Sequence, residues 1–334
     1  MTHAEIIKEY EEGLKQLPDQ TQIAIALIEN GRTSYYGLIK NENAIQPIDN
    51  ADSSFEIGSV TKAFTGNILA QLVLDGKIGL DDPIQSFLPF QLLDNPQITI
   101  RQLAQHTSGL PKLPHDFKDQ VEYQSENPYL NYTGKLLVGY LTTSLRLDSR
   151  PGDRYQYSNL GMSLLSFIIS RIEGKPFPDI VSERIFKPLN MDHSTFDHNA
   201  IRTTSVQGIG ENGKFCGPWA CGIYAGSIGI NSTAKDLAAF AILQSDAANA
   251  ACSLQAQETF LAEPLFKSNL GWGERLVMPE NIRIRGINGG TGGYGASVML
   301  NLETNSVIVI LTNISPKHYI EIIYPLNKAL LLRL

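Results

Sequence analysis

The sequence predicts an α/β (α+β) fold in which a mostly antiparallel sheet, flanked by helices, is formed from both ends of the chain. Strand-like runs occur near the N-terminus and again in the last third, whereas the middle has short helical segments separated by proline and glycine. Strands at both ends with helices between them indicate one sheet that carries a largely helical insertion.

This pattern also predicts how the chain is divided. Residues 1–75 contribute the N-terminal share of the α/β part, residues 76–209 form a mainly helical domain, and residues 210–334 contribute the C-terminal share. A chain of this length can hold one large domain or two smaller ones. We expect a cleft between the sheet and the helical insertion.

The N-terminal part begins with an amphipathic helix and a hairpin. Residues 4–16 carry apolar side chains at helical spacing, which predicts the helix. Two strands follow over 22–28 and 33–39. The dipeptide Asn30-Gly31 between them is a strong signal for a two-residue hairpin turn.

Helices then dominate until the last third of the chain. A helix starting at Ser59 carries a long apolar run and stops at Asp75-Gly76. Further predicted helices span 99–105, 134–145, 160–173 and 234–244, and predicted strands span 283–287, 296–301 and 306–313. A final helix has an apolar stripe formed by Ile320, Ile323, Leu326, Leu330 and Leu331.

Composition narrows the classes of function. Of the 334 residues, 43% are hydrophobic, which suffices for a substantial core, and the net charge is −7 without a dense lysine or arginine cluster. We therefore expect no nucleic-acid partner. No apolar run is long enough to span a bilayer, so we expect no transmembrane segment, and the oligomeric state stays open. The first residues lack a secretion signal, which fits a cytoplasmic protein or a periplasmic or cell-envelope one whose signal was removed.

The three cysteines do not indicate a disulfide framework or a metal site. Cys216, Cys221 and Cys252 are an odd and sparse set, and no histidine pattern accompanies them. We expect all three to be structural, and we expect neither a metal nor an organic cofactor.

The motif that carries the most chemistry is Ser59-x-x-Lys62, at the start of a predicted helix. Helix positions i and i+3 share a face, so the serine hydroxyl and the lysine amine can meet. A serine hydroxyl is a weak nucleophile until a base takes its proton. Lysine can be that base only where burial or nearby positive charge keeps it neutral.

The same spacing recurs at Ser232-x-x-Lys235, which shows that the motif alone is weak evidence. There the sequence predicts a helix cap at Ser232, followed by an acidic residue in the first turn of an apolar helix. We therefore expect Ser232 to be structural. Ser59 must gain its role from other residues.

Two further motifs bear on chemistry. In Tyr157-x-Asn159 a phenol can relay a proton to a leaving group, and the amide can hold the substrate in register. A second Tyr-x-Asn copy begins at Tyr129, so this tripeptide is weak evidence too. The glycine-rich run 286–294 lies between two predicted strands, where glycines permit a ligand to approach a strand edge. His106, in a polar turn, is expected to be structural.

Taken in chain order, these motifs resemble the serine β-lactamase and penicillin-binding protein family. The resemblance spans nearly the whole chain and is closest to the branch of class C β-lactamases, DD-peptidases and family VIII esterases. Supporting stretches lie at 78–84, 103–110, 151–161 and 225–237. The combination of motifs is far more specific than any one of them.

The resemblance implies a role for each motif residue. Ser59 would be the acylated nucleophile, and Lys62 would be its base. Tyr157 would protonate the leaving group and later activate the deacylating water. Substrate positioning would fall to Asn159, which would also position Lys62, and to Asn288 and Gly289. The backbone N–H groups of Ser59 and Gly290 would form the oxyanion hole.

The strand motif departs from the family pattern at one residue. Where the family has Lys-Thr-Gly or His-x-Gly, this sequence has Ile287-Asn288-Gly289, and isoleucine brings neither charge nor hydrogen bond. The missing charge-assisted hydrogen bond corresponds to about 1.5–3 kcal/mol. This favours an ester or small-amide hydrolase, or a peptidase with another anchor, over an efficient β-lactamase.

We therefore predict a serine hydrolase that attacks an amide or ester carbonyl through an acyl-enzyme. A β-lactam, a D-alanyl peptide and a short-chain ester are all compatible substrates, so the partner is a small molecule or a peptide. The alternative is a catalytically degenerate relative that binds a ligand or serves as a scaffold, a hypothesis that Ile287 keeps open.

Overall fold

The computed structural model describes residues 2–120, 122–201 and 204–333. A nine-stranded antiparallel sheet lies at its centre, and smaller two-stranded ladders flank it. The strands are β1 (Gln22–Glu29), β2 (Arg32–Asn41), β3 (Ala44–Pro47), β4 (Phe55–Glu56), β5 (Gly208–Ile209), β6 (Phe215–Cys216), β7 (Asn231–Ser232), β8 (Phe260–Glu263), β9 (Phe266–Ser268), β10 (Gly273–Val277), β11 (Ile282–Gly290), β12 (Gly295–Asn301) and β13 (Ser306–Thr312).

Helices occupy most of the remaining regular structure. The α-helices are α1 (His3–Glu9), α2 (Glu11–Leu14), α3 (Thr61–Leu74), α4 (Ile100–Ala104), α5 (Gly134–Thr143), α6 (Asn159–Glu173), α7 (Phe177–Val181), α8 (Ala225–Ile228), α9 (Ala234–Ser245), α10 (Ala250–Gln257), α11 (Pro316–His318) and α12 (Tyr324–Arg333). Tighter 3₁₀ turns span Gly58–Val60, Ile84–Phe87, His198–Ile201 and Gly222–Tyr224, and wider π-helical turns span Ser182–Phe186 and Tyr319–Ile323.

The sheet order confirms the predicted use of both chain ends. The large sheet runs β3-β2-β1-β13-β12-β11-β10-β9-β8, so the N-terminal β1 pairs with the C-terminal β13. Between residues 57 and 207 the described residues form no named strand, as the sequence predicts for the insertion. Asn30 and Gly31 both have positive φ, which the predicted hairpin turn requires.

The central strands are buried on both faces, and this explains their continuous apolar runs. In β13 the alternate residues Val307, Val309 and Leu311 belong to the main core against the helical region. The residues between them, Ile308 and Ile310, belong to a second core under the helices of the two chain ends. Each such side chain contributes about 1.5–3 kcal/mol on burial.

Three predicted details need correction. The N-terminal helix is broken at Tyr10 into α1 and α2. Ser59 lies in a 3₁₀ turn just before α3 instead of starting the α-helix itself. Ile320 is 66% exposed and leaves the predicted apolar stripe, because the π-helical turn at Tyr319–Ile323 shifts the helical phase. Strands β3 and β8 to β10 and helix α10 were not predicted.

Among the described residues, no single helix is long and apolar enough to cross a membrane. Taken together, α9 and α10 have the length and the apolar composition of a membrane-spanning segment, but a bend of 76° separates them.

Candidate active site

Two glycine contacts bring the end of β11 against the turn that carries Ser59. A Cβ atom at Gly58, whose φ is +47°, would lie 2.6 Å from the Gly290 nitrogen. A Cβ atom at Gly289 would lie 1.9 Å from the Ile57 carbonyl oxygen and 2.9 Å from the Ser59 nitrogen. Only glycine fits such approaches, so these residues place the strand backbone beside the serine.

Lys62 contacts the hydroxyl group of Ser59. The 3₁₀ turn followed by α3 brings its Nζ within 3.0 Å of the Ser59 Oγ, to which it donates. Its second hydrogen bond goes to the carbonyl oxygen of Ser227, at 2.7 Å. Burial lowers the pKa of the Lys62 amine well below its usual range, and the positive charge of Lys112 lowers it further. The site therefore favours a neutral amine, as a general base requires.

Tyr157 approaches the same serine from the other side. Its hydroxyl donates to the Ser59 Oγ at 2.5 Å, and the Lys62 Nζ lies 4.8 Å from the centre of its ring. Burial raises the pKa of the Tyr157 phenol, so that the group keeps its proton at neutral pH. The geometry brings together Ser59, Lys62 and Tyr157, the three residues for which the sequence suggests catalytic roles.

His106 supports Tyr157 through the backbone. Its Nδ1 accepts a hydrogen bond from the Ser158 nitrogen at 3.2 Å, and its ring centre lies 4.6 Å from that of Tyr157. Burial lowers the pKa of His106 to about 3, so the imidazole is neutral. From the sequence we expect His106 to be a structural turn residue. The polar run around it is the only sequence feature that could have indicated its place beside Tyr157.

Asn159 begins α6, where the Lys112 carbonyl oxygen accepts from its backbone nitrogen at 3.0 Å. Its side-chain Nδ2 donates to the hydroxyl of Tyr129 at 3.1 Å. Among the described residues, the expected hydrogen bond between Asn159 and Lys62 is not observed. The Lys62 Nζ donates instead to the Ser59 Oγ and to the Ser227 carbonyl oxygen. Tyr129 belongs to the second Tyr-x-Asn copy, so a motif set aside from the sequence contributes to the site.

The residues of the strand motif, Ile287 to Gly290, lie in different surroundings. Ile287 packs against the main core and supplies no polar group. Asn288 is exposed and lines a cavity of about 650 Å³ between the sheet edge and α12. That cavity also holds the cations Arg275 and Lys328 among mostly apolar side chains. Gly290 pairs with Gly295, and its backbone lies beside the serine turn, as described above.

The second serine–lysine pair has a structural environment. Ser232 lies in β7 and its Oγ bonds that of Ser194 at 2.8 Å, so the predicted cap at Ser232 is wrong. The cap of α9 is the next residue, Thr233, whose side chain accepts from the Asp236 nitrogen at 3.1 Å. Lys235 is exposed and pairs with Asp52 on the surface.

An aromatic wall lies on the far side of Asn159. The Tyr129 ring packs against Trp219 at 5.5 Å and Tyr224 at 4.8 Å between ring centres. The Trp219 backbone nitrogen donates to the buried Glu56 Oε1 at 2.7 Å, which fixes its loop near the serine turn. Tyr224 is fully buried, whereas Trp219 is only half-buried.

The three cysteines are free thiols. Within residues 2–120, 122–201 and 204–333, no group of three or more histidine, cysteine, aspartate and glutamate side chains could hold a metal ion.

Comparison with known sequences gives a family match over nearly the whole chain. The family model described as Beta-lactamase matches residues 12–328. The chain is 30% identical over 295 residues to Beta-lactamase-like protein 4 of Dictyostelium discoideum, which covers 83% of this chain and 48% of that protein. The chain spans between about a third and a half of the length of the curated relatives it matches.

Solved structures show the same fold. A β-lactamase/D-alanine carboxypeptidase from Pseudomonas syringae superimposes with a TM-score of 0.77 at 19% identity, covering 98% of both chains. A D-stereospecific amidohydrolase from Streptomyces sp. superimposes with a TM-score of 0.76 at 22% identity, covering 94% of both chains. These likenesses agree with the antiparallel sheet and its helical insertion.

Proposed function

The chain belongs to the β-lactamase family, and from that premise we propose that it is a serine hydrolase that works through an acyl-enzyme. Ser59 is the nucleophile, Lys62 its general base and Tyr157 the proton donor to the leaving group. The substrate is an ester or a small amide.

One observation carries this proposal: the Ser59 Oγ lies between a buried amine and a buried phenol. The amine is 3.0 Å away and the phenol oxygen 2.5 Å away. Burial shifts their pKa values in opposite directions, so the amine is neutral and the phenol protonated. A pair of groups separated in this way supplies one base and one acid at the same pH.

The acylation step follows from these states. Ser59 Oγ attacks the carbonyl carbon while its proton passes to Lys62, and the backbone N–H groups of Ser59 and Gly290 stabilise the oxyanion. Tyr157 then gives its proton to the leaving group as the tetrahedral intermediate collapses. The Lys62 ammonium returns a proton to the phenolate, so both groups are reset before water attacks the acyl-enzyme.

Ile287 and the relatives support the choice of substrate. Without a strand cation, a substrate carboxylate loses its usual partner on β11, which favours esters and small amides without that group. One solved neighbour is described as a β-lactamase/D-alanine carboxypeptidase and another as a D-stereospecific amidohydrolase. Penicillins and D-alanyl peptides therefore remain necessary probes.

The test is the intact mass and turnover of the wild type, Ser59→Ala and Ser232→Ala with two probes, a fluorescent penicillin and p-nitrophenyl acetate. Ser232→Ala is the matched control, because this serine also precedes a lysine by three residues. We expect nitrophenol release by the wild type and the control, and none above background by Ser59→Ala.

The penicillin arm separates the substrate classes. A stable adduct on the wild type and on Ser232→Ala, with none on Ser59→Ala, would indicate a penicillin-binding peptidase or a slow β-lactamase, in place of the ester preference. If all three proteins behaved alike with both probes, the catalytic assignment would be wrong. The ligand-binding relative would then be the better hypothesis.

A further inference from the structure

The cavity between the sheet edge and α12 lies on the face of β11 that is turned away from Ser59. A Cβ atom at Gly289 would meet the backbone of the serine turn. Because side chains alternate along a strand, Ile284, Gly286 and Asn288 face the opposite side, where they line this cavity. Its volume of about 650 Å³ is typical of small-molecule sites. The cavity is therefore separate from the candidate active site.

A pair of glycines forms the floor of the cavity. Gly273 of β10 and Gly286 of β11 lie directly opposite each other in the ladder, and both line the cavity. A Cβ atom at Gly273 would meet the Phe266 ring at 2.7 Å, and one at Gly286 would meet the Met299 side chain at 3.2 Å. Glycine inside a strand weakens it and often marks a site where another group approaches the backbone closely.

Apolar side chains form the walls of the cavity. They come from the sheet edge and from α12, and they include Leu265, Phe266, Val277, Met278, Leu331 and Leu332. Leu265 is 44% exposed and Met278 is 54% exposed, so both lie where the cavity opens to solvent. Exposed apolar side chains beside an apolar cavity favour a ligand with an apolar part.

The charged side chains that line the cavity are both cations. Among the described residues, its lining contains Arg275 and Lys328 but no aspartate or glutamate, although the whole chain has a net charge of −7. No hydrogen bond or ion pair joins the Lys328 ammonium to another described residue. The Arg275 guanidinium lies 5.0 Å from the centre of the Phe266 ring and 4.0 Å from the exposed Glu263 carboxylate. Such an exposed pair contributes little, so both cations can bind an anion.

We propose that this cavity binds a single-chain anionic amphiphile, such as a medium-chain fatty acid. The alkyl chain lies on the glycine floor between Phe266 and α12, and the anionic head pairs with Arg275 and Lys328. A neutral chain leaves the cations unpaired, and a short anion leaves the apolar walls uncovered. Binding here does not require the reaction proposed at Ser59.

Isothermal titration calorimetry of the full chain with hexanoate, octanoate and decanoate tests the proposal. The affinity should rise about fourfold for each added CH₂ group, because each one is transferred from water to the apolar walls. Added salt should weaken binding, because it screens the exposed cations. The uncharged 1-octanol should bind more weakly than octanoate. Affinity that did not depend on chain length, or equal affinity for 1-octanol, would overturn the proposal.

Variants and hydrogen exchange locate the ligand. Arg275→Gln and Lys328→Gln should each weaken octanoate binding by about twofold to fivefold. Lys267→Gln is the matched control, because Lys267 is exposed in β9 and loses the same charge but does not line the cavity. Decanoate should slow amide hydrogen exchange in residues 265–278 and 324–332.

Three results would place the amphiphile elsewhere and overturn the proposal. Slowed exchange confined to residues 57–62 would mean that the carboxylate binds at the serine turn instead. Equal affinities in the control and in both cavity variants would exclude Arg275 and Lys328 as partners of the head group. Binding that began only at micelle-forming concentrations would show that the protein binds an aggregate instead of a single molecule.

Discussion

The two Ser-x-x-Lys segments of this chain have the same spacing but opposite environments. Lys62 is fully buried, bonds the serine at 3.0 Å and has a lowered pKa. Lys235 lies at the surface, and its hydrogen bond with Asp52 raises the pKa of its amine. Ser232 bonds another serine instead of its own lysine.

The difference shows that burial and partners, not spacing, decide what the motif can do. In the first segment the helix points into the core, so desolvation removes the charge of the lysine. In the second, an exposed helix face leaves the lysine charged and the serine structural. Each prediction below changes Lys62 or a residue that affects its surroundings, and three of the four use Lys235→Met in the second segment as the control.

The largest expected effect is on turnover. Lys62→Met removes the proposed base, so Ser59-dependent release of nitrophenol should fall by about a hundredfold to ten-thousandfold. Lys235→Met should leave the rate unchanged. Steady-state kinetics with p-nitrophenyl acetate measure both, and equal rates for the two variants would contradict the assignment of Lys62.

The next largest expected effect is on how folding stability changes with pH. Folded His106 has a pKa of about 3 and the unfolded chain about 6.5, so only the unfolded chain binds the proton between these values. The contribution of the neutral imidazole to folding stability is present in full above pH 6.5 and is lost as pH falls toward 3, by about 1.4 kcal/mol per pH unit. His106→Asn tolerates the positive φ there and cannot titrate, so its urea-unfolding free energy should depend less on pH.

The Lys235→Met variant should keep the wild-type slope between pH 6.5 and pH 4. If His106→Asn also kept that slope, the buried imidazole would not be the source of the acid sensitivity.

A smaller effect is expected on stability at neutral pH. Because the folded-state pKa of Lys62 is lowered, the unfolded chain binds the proton more strongly, which favours unfolding at pH 7. Lys62→Met removes this penalty and should therefore raise the free energy of unfolding at pH 7. Its advantage should shrink as pH rises toward 10.5, where the unfolded lysine also becomes neutral. Urea denaturation of both proteins at pH 7 and pH 10 measures this difference. A variant less stable than the wild type at pH 7, or a difference that grew at pH 10, would contradict the prediction.

The smallest predicted effect concerns Lys112. Its charge lowers the pKa of Lys62, so Lys112→Met should raise that pKa. The acidic limb of the rate profile, where Lys62 becomes protonated and inactive, should therefore move to higher pH. The profile of kcat/KM in Lys235→Met is the reference, and a limb that moved to lower pH would argue against this coupling.

Local signals made much of the fold predictable from the sequence. The Asn30-Gly31 turn needs only the φ preferences of two residues, and the doubly buried β13 shows as an apolar run. Strands β8 to β10 were missed because they are short and only half-buried. A π-helical turn also has no simple sequence signal, so the exposed Ile320 was placed on the wrong face.

In the candidate site, too, local contacts are predictable from the sequence and long-range contacts are not. Ser59 and Lys62 are three residues apart, so helical geometry alone predicts that they meet. The contact between Tyr129 and Asn159 spans 30 residues and depends on how the insertion packs. The Ser227 carbonyl, which accepts from Lys62, belongs to the backbone and leaves no mark in the residue type.

The pairing of β1 with β13 sets the order in which this protein can be assembled. Ile23 pairs with Thr312, so the central ladder joins residues separated by nearly the whole chain. During synthesis the hairpin β1–β2 must wait, with its apolar faces uncovered, until the last strands leave the ribosome. The serine turn also waits for Gly289, so we expect slow folding, chaperone dependence and an all-or-none gain of the site.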